Sequence, residues 1–137
     1  MCLVPLILLG YMTAIQTSWH HTTHEQGAVV EAQSCETGLG ADVKLSTEGY
    51  YGLGAQYGWK WSIEDWSIGA LPKVGFSYVD HPEPSLPMRT QFEVGVQVLI
   101  GHGRWRAGVE YWHLSNAGLR EPNVGMDFLI LQAGMVF

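Results

Sequence analysis

His113 and Ser115 stand two residues apart, and Asp127 follows twelve residues after the serine on a segment that runs to Phe137. An imidazole, a hydroxyl and a carboxylate are the parts of nucleophilic acyl transfer. The serine is a weak nucleophile at its own pKa, the histidine takes its proton, and the acid holds the histidine's tautomer and stabilises the imidazolium. Such parts act together only if the backbone brings them to one surface. In a strand, side chains at i and i+2 share a face, so parity sorts each segment into two surfaces. From Arg104 the even positions read Arg104, Arg106, Gly108 and Glu110, while the odd ones read Trp105, Ala107, Val109, Tyr111 and then His113. The imidazole therefore continues an apolar face, and Ser115 follows it. Counted back from Phe137, Met135, Ala133, Leu131 and Leu129 share a parity with Asp127, against Phe128, Ile130, Gln132, Gly134 and Val136. A hairpin centred near Arg120 sets His113 directly across from Asp127, within reach of a cross-strand pair. An imidazole and a carboxylate on an apolar surface are costly unless they are paired and useful.

The elements that would carry these residues repeat the same alternation. From Arg89 the odd positions read Arg89, Gln91, Glu93, Gly95 and Gln97, and the even ones Thr90, Phe92, Val94, Val96, Val98 and Ile100. Tyr51, Leu53, Ala55, Tyr57, Trp59 and Trp61 stand likewise against Gly52, Gly54, Gln56, Gly58 and Lys60. Aromatic residues mark the ends of the apolar face, and the polar face is rich in glycine and opposite charges. A narrow interior of small side chains and ion pairs, wrapped in a lipid-facing wall, has that pattern; a soluble sandwich would turn the two faces the other way. Asp42, Lys44, Lys60, Lys73, Glu93, Arg104, Arg106 and Glu110 are then expected to form a buried network in the lumen, since eight strands leave little free bore.

Composition agrees. A chain of 137 residues with 17 glycines and 12% aromatic residues suits one domain of short, frequently turning strands, and a charged fraction of 15% is low for a soluble domain. The net charge of -6 argues against nucleic acid as a partner. No stretch reaches the ~18 to 20 apolar residues of a spanning helix. Cys2 to Met12 is apolar and of signal-peptide length, without a preceding Lys or Arg, so export is expected and cleavage stays open. Residues 1–15 are read as a signal-like export segment overlapping a single barrel domain over 11–137. Seven strands are expected over Gln26–Ser34, Gly38–Ser46, Tyr50–Trp61, Trp66–Val79, Met88–Gly101, Arg104–Leu114 and Gly125–Phe137. Barrels of this kind are even-stranded, which calls for an eighth strand within Tyr11–Trp19. The fold class is thus all-β, an eight-stranded antiparallel transmembrane β-barrel. Ser62–Asp65 and Gly101–Gly103 are short turns and face the periplasm, while Asp80–Pro87 and Ser115–Val124 are long and face outward, putting Ser115 at the outer leaflet.

Other polar landmarks have bland readings. His20, His21 and His24 lack the carboxylate or cysteine partners of a metal site, and His81 and His102 are expected beside turns and exposed. Neither Cys2 nor Cys35 has a catalytic context, and a bridge between them has nothing to support it. The chemistry proposed for Ser115 requires neither metal nor organic cofactor.

The run from Tyr111 to Asp127, and within it His113-Leu114-Ser115-Asn116-Ala117-Gly118 followed by Pro122-Asn123, Gly125 and Asp127, resembles the signature of the PagL family of lipid A 3-O-deacylases. The likeness extends from about Met88 to Phe137. It implies an eight-stranded barrel of the bacterial outer membrane with lipid A or lipopolysaccharide as substrate, and it implies Ser115 as nucleophile, His113 as base and Asp127 as orienting acid. The family usually has glutamate there, so the acid is one methylene shorter, which puts its contact with His113 in question. Asn123, or Asn116 and the backbone amides up to Gly118, are implied as oxyanion donors. Two rival functions stay open at this point: a non-enzymatic small barrel, adhesive or structural, and another lipid acyl hydrolase using the same three residues. A homodimer also stays open.

Overall fold

In a computed structural model, which describes residues 4–15, 26–82, 87–121 and 125–137, eight strands form one closed sheet. They are β1 (Leu6–Ile15), β2 (Gln26–Gln33), β3 (Gly38–Ser46), β4 (Tyr50–Ile63), β5 (Trp66–Val79), β6 (Thr90–His102), β7 (Trp105–Ser115) and β8 (Met126–Val136). Each is antiparallel to the next, and β8 closes on β1 through pairs from Leu6↔Val136 to Ile15↔Asp127. Closure leaves no unpaired edge, as a sheet in hydrocarbon requires. Phe92, Val94, Val96, Val98, Tyr57 and Trp59 all point outward, as parity predicts.

The eighth strand differs from expectation. It begins at Leu6, ahead of the Tyr11–Trp19 span, and takes in most of the apolar run read as signal-like. Its run is unbroken because both of its faces are apolar: Leu6, Leu8 and Met12 are fully buried in the lumen, while Ile7, Leu9 and Tyr11 face outward. A strand of this kind hides its period of two.

The lumen is layered. At the end carrying the chain terminus Phe137 lie Leu6, Leu8, Leu71 and Leu99, and at the opposite end Met12, Val29, Tyr50, Val79, Trp112, Leu114, Met126, Phe128 and Ile130 pack together. This second cluster accounts for the apolar inner face of β8. Between the two lies a polar layer. Lys44 Nζ is 2.6 Å from Asp42 Oδ2 and 3.0 Å from Glu110 Oε1, and Lys73 bridges Glu31 and Glu110. Gln97 donates to Gln132 at 2.5 Å, and Gln132 donates to Glu31 at 2.6 Å. Trp112 Nε1 reaches down from β7 to Glu93 at 3.0 Å. Most of the expected network is here, joined by Glu31 and the glutamines.

Arg104 is not part of it. It sits in the two-residue turn between β6 and β7, beyond the end of the wall, exposed, with Nε donating to the Val136 carbonyl at 3.1 Å. Arg106 and Lys60 pair instead with Glu36 in the turn between β2 and β3. Burial raises the Glu36 carboxyl, but hydrogen bonding and charge from Arg106, aided by Lys60, outweigh it and hold the group below the ordinary carboxylate value of 4.5.

Short connections, residues 34–37, 64–65 and 103–104, lie at the end near Phe137; the strand ends Ile15, Gln26, Val79, Thr90, Ser115 and Met126 lie at the other, with the brief turn 47–49. The orientation rule for such barrels turns the first end to the periplasm and the second outward.

Candidate active site

The site is built from the outer ends of β7 and β8. His113 is the register partner of Asp127, as the hairpin argument requires. Imidazole Nδ1 lies 2.6 Å from Asp127 Oδ1, with the histidine side chain 31% exposed and the aspartate 5%. The missing methylene is therefore no obstacle. In a direct cross-strand pair the two Cβ atoms are only ~5 Å apart, and a short acid spans what is left. With Nδ1 bonded to the carboxylate, Nε2 is the edge left to accept a proton.

Ser115 follows on the same face of β7, half-buried, about 7 Å along the chain from His113 by the rise of an extended strand. Among the described residues no hydrogen bond joins the two, and contacts of this kind are commonly loose before substrate binds. On the β6 side the neighbours are Val94, opposite His113, and Phe92, opposite Ser115. That wall continues as an outward-facing groove over β4, β5 and β6, lined by Leu53, Ala55, Val74, Phe76, Phe92 and Val94. Gly75, on the inner face beneath it, lets β4 and β5 approach closely, because a Cβ there would come within 2.3 Å of the Leu53 carbonyl.

Two further residues belong to the site: Tyr111, which parity places only on the apolar surface for an acyl chain, and Gly125. Tyr111, two positions before His113 on the same face, donates from its hydroxyl to Asp127 Oδ1. Gly125 comes opposite Ser115 when the β7–β8 ladder is extended by one pair. It has φ +74, and a Cβ there would come within 2.9 Å of His113 Cε1 and of the Leu114 carbonyl. Same-face parity and the hairpin register were the available signals for both.

Asn116 is buried, and its carboxamide organises the loop: Oδ1 accepts from the Gly118 amide at 2.9 Å, and Nδ2 donates to the Arg120 carbonyl at 2.6 Å. Ala117 takes φ 52 and Gly118 φ 77, so the chain turns through two successive left-handed residues immediately after Asn116. For alanine that conformation is strained. Asn123 and the histidines at 20, 21 and 24 lie outside the described residues. His81 and His102 are exposed, as expected, and His102 packs against Trp66 with the rings tilted and their centroids 4.7 Å apart. Cys35 is buried, its thiol donating to the Thr37 carbonyl at 3.3 Å; Cys2 lies outside the described residues.

Comparison with known proteins identifies the family and agrees with the fold. The family described as lipid A 3-O-deacylase (PagL) matches residues 10–136. A crystal structure of the outer membrane enzyme PagL superimposes with a TM-score of 0.68 at 14% identity, covering 96% of this chain and 99% of that one. The outer membrane protein Ail of Yersinia pestis, in a phospholipid bilayer nanodisc, superimposes with a TM-score of 0.55 at 12% identity, covering 98% of this chain and 99% of that one. At such identities both likenesses speak to the fold. No curated protein matches the chain.

Proposed function

The chain belongs to the PagL family of lipid A 3-O-deacylases, ester hydrolases of the bacterial outer membrane, and from that premise we propose that Ser115, His113 and Asp127 are its catalytic triad. The observation that carries the reading is the 2.6 Å contact between His113 Nδ1 and Asp127 Oδ1 on the lipid-facing wall, with Ser115 next on the same face at the outer end. An imidazole and a carboxylate on an apolar surface are costly unless they are paired and used.

Lipid A enters laterally from the outer leaflet. Ser115 Oγ attacks the carbonyl of the ester-linked acyl chain while His113 Nε2 takes its proton, and Asp127 stabilises the imidazolium. The carbon–oxygen bond to the sugar breaks as Nε2–H protonates the departing oxygen. Water, activated by the same nitrogen, then hydrolyses the acyl-serine and releases the fatty acid. The position at the interface supplies that water. The groove beside Phe92 and Val94 lodges the acyl chain, since its lining is apolar and it opens directly beside Ser115. Oxyanion stabilisation is assigned to the loop that follows the serine, with Asn116, Gly118 and Asn123 as its candidate donors. The supporting observation is the pair of left-handed residues, Ala117 and Gly118, which turns the chain two residues after the nucleophile; the Gly118 amide and Asn116 Nδ2, bonded within the loop without substrate, would exchange those partners for the oxyanion. All three triad residues come from one chain, so the reading calls for no second copy.

Mass spectrometry of lipid A incubated with the refolded protein tests this. Loss of one acyl chain with the wild type and none with Ser115→Ala supports the reading; equal release by both removes it and leaves a barrel whose activity lies elsewhere or is absent.

A further inference from the structure

We propose that Tyr111 is a positioning residue of this site that acts through Asp127, an inference that rests on the triad reading above. Tyrosine on the outer wall of a membrane barrel ordinarily serves the interface, its ring in the apolar zone and its hydroxyl toward water. Tyr111 does something else with its hydroxyl. Its register partner on β8 is Leu129, so it meets Asp127 only along the diagonal, which requires a side chain as long as tyrosine. The hydroxyl donates to Oδ1, the same oxygen that accepts from His113 Nδ1. Two donors from one strand thus converge on a single oxygen of an acid carried by the next.

The consequence for the reaction follows from where Asp127 stands. Its side chain is almost fully buried against the wall, so its orientation is set by the groups that touch it. A hydroxyl donating to Oδ1 restricts rotation of the carboxylate, so that Oδ1 faces Nδ1 when the proton arrives at Nε2. Tyr111 acts on the reaction through Asp127, donating this hydrogen bond without transferring its proton. The longer acid usual in the family reaches farther by itself; the shorter acid here is met by a donor from the side.

A double-mutant cycle with lipid A in detergent micelles tests the proposal, using wild type, Tyr111→Phe, Asp127→Ala and the double variant, each checked for the folded barrel by gel mobility. Phenylalanine has the shape of tyrosine and belongs on a lipid-facing wall, so folding is not at issue. Tyr111→Phe is expected to lower kcat by roughly ten-fold with KM within about two-fold, as loss of one hydrogen bond to a charged group implies. In the Asp127→Ala background the same change should have no effect, because there is no carboxylate left to hold. A kcat for Tyr111→Phe within about two-fold of wild type, or a loss that persists undiminished in the Asp127→Ala background, overturns it. Ser115→Ala in the same preparation separates the two readings: if it stays active the triad assignment has failed, whereas an inactive Ser115→Ala beside an unaffected Tyr111→Phe removes only the role of Tyr111.

Discussion

The ionisable side chains of the lumen layer and those on the lipid-facing wall both lie away from bulk water, and they differ in how completely they are enclosed. In the lumen, Lys44 and Lys73 are shared among Glu31, Asp42, Glu93 and Glu110, and glutamines cross-link the carboxylates. The partners come from six different strands, β2, β3, β5, β6, β7 and β8, and their interactions point back into the network. On the wall, His113, Asp127 and Tyr111 come from one hairpin, and the imidazole edge facing away from Asp127 stays available to a proton from outside the set. Charges that cross-brace a fold are surrounded; charges that do chemistry keep one side open. β7 carries both kinds on its two faces, Glu110 and Trp112 inward, Tyr111 and His113 outward.

Substitutions on the two faces should therefore separate activity from stability. The largest effect is expected from Ser115→Ala and His113→Ala, each lowering acyl release by about 10⁴-fold or more while the urea midpoint of the folded barrel barely moves. Asp127→Ala should leave more residual activity than either, because an orienting acid contributes through the histidine. The converse change is Lys44→Met. It leaves Asp42 and Glu110 without their shared cation and is expected to cost about 3–5 kcal/mol in equilibrium unfolding, with turnover per folded molecule close to wild type. If Lys44→Met abolishes turnover in barrels that remain folded, the two regions are not separate and the comparison fails.

Smaller effects sharpen it. Gly125→Ala places a methyl group against His113 Cε1 in a backbone conformation that alanine resists, so a loss of roughly ten- to a hundred-fold in kcat/KM should accompany ~1–2 kcal/mol of destabilisation. Asp127→Glu, which installs the usual family acid, should change kcat by no more than about three-fold, since Asp127 already meets Nδ1; a large gain would mean that the observed contact is not the productive one. The slightest effect concerns Glu36. Its folded pKa is lower than its unfolded one, so its contribution to stability is fully present above the ordinary value of 4.5 and is lost as pH falls through the folded value. Urea midpoints of the wild type should fall in that acid window, and Glu36→Gln should flatten the part of the fall that this group causes.

Much of this architecture was legible in the chain because the wall and the lumen differ in polarity and parity exposes that difference. The inward and outward sets of β4, β6 and β7 could be read residue by residue. β1 could not, since Leu6, Leu8 and Met12 face an apolar lumen layer and Ile7, Leu9 and Tyr11 face lipid, leaving no contrast to detect. The same cause blurred β8, where Phe128 and Ile130 join the apolar cluster beneath the site. Arg104 misled because parity continues past the point where the wall ends and the turn begins. At the site, cross-strand register located the His113–Asp127 pair, but parity says which residues share a face and not which way a long side chain leans. Tyr111 could be placed beside the pair, while its hydroxyl bond to Asp127 required coordinates.

The direct pairing of His113 with Asp127 also makes catalysis a gauge of assembly. Side chains alternate with a period of two, so a slip of one residue between β7 and β8 would turn Asp127 into the lumen and put Phe128 or Met126 beside the imidazole. Such a misassembled barrel would keep nearly all its backbone bonds and look folded to spectroscopy. It would release no fatty acid, so turnover counts the molecules whose last two strands were inserted in register.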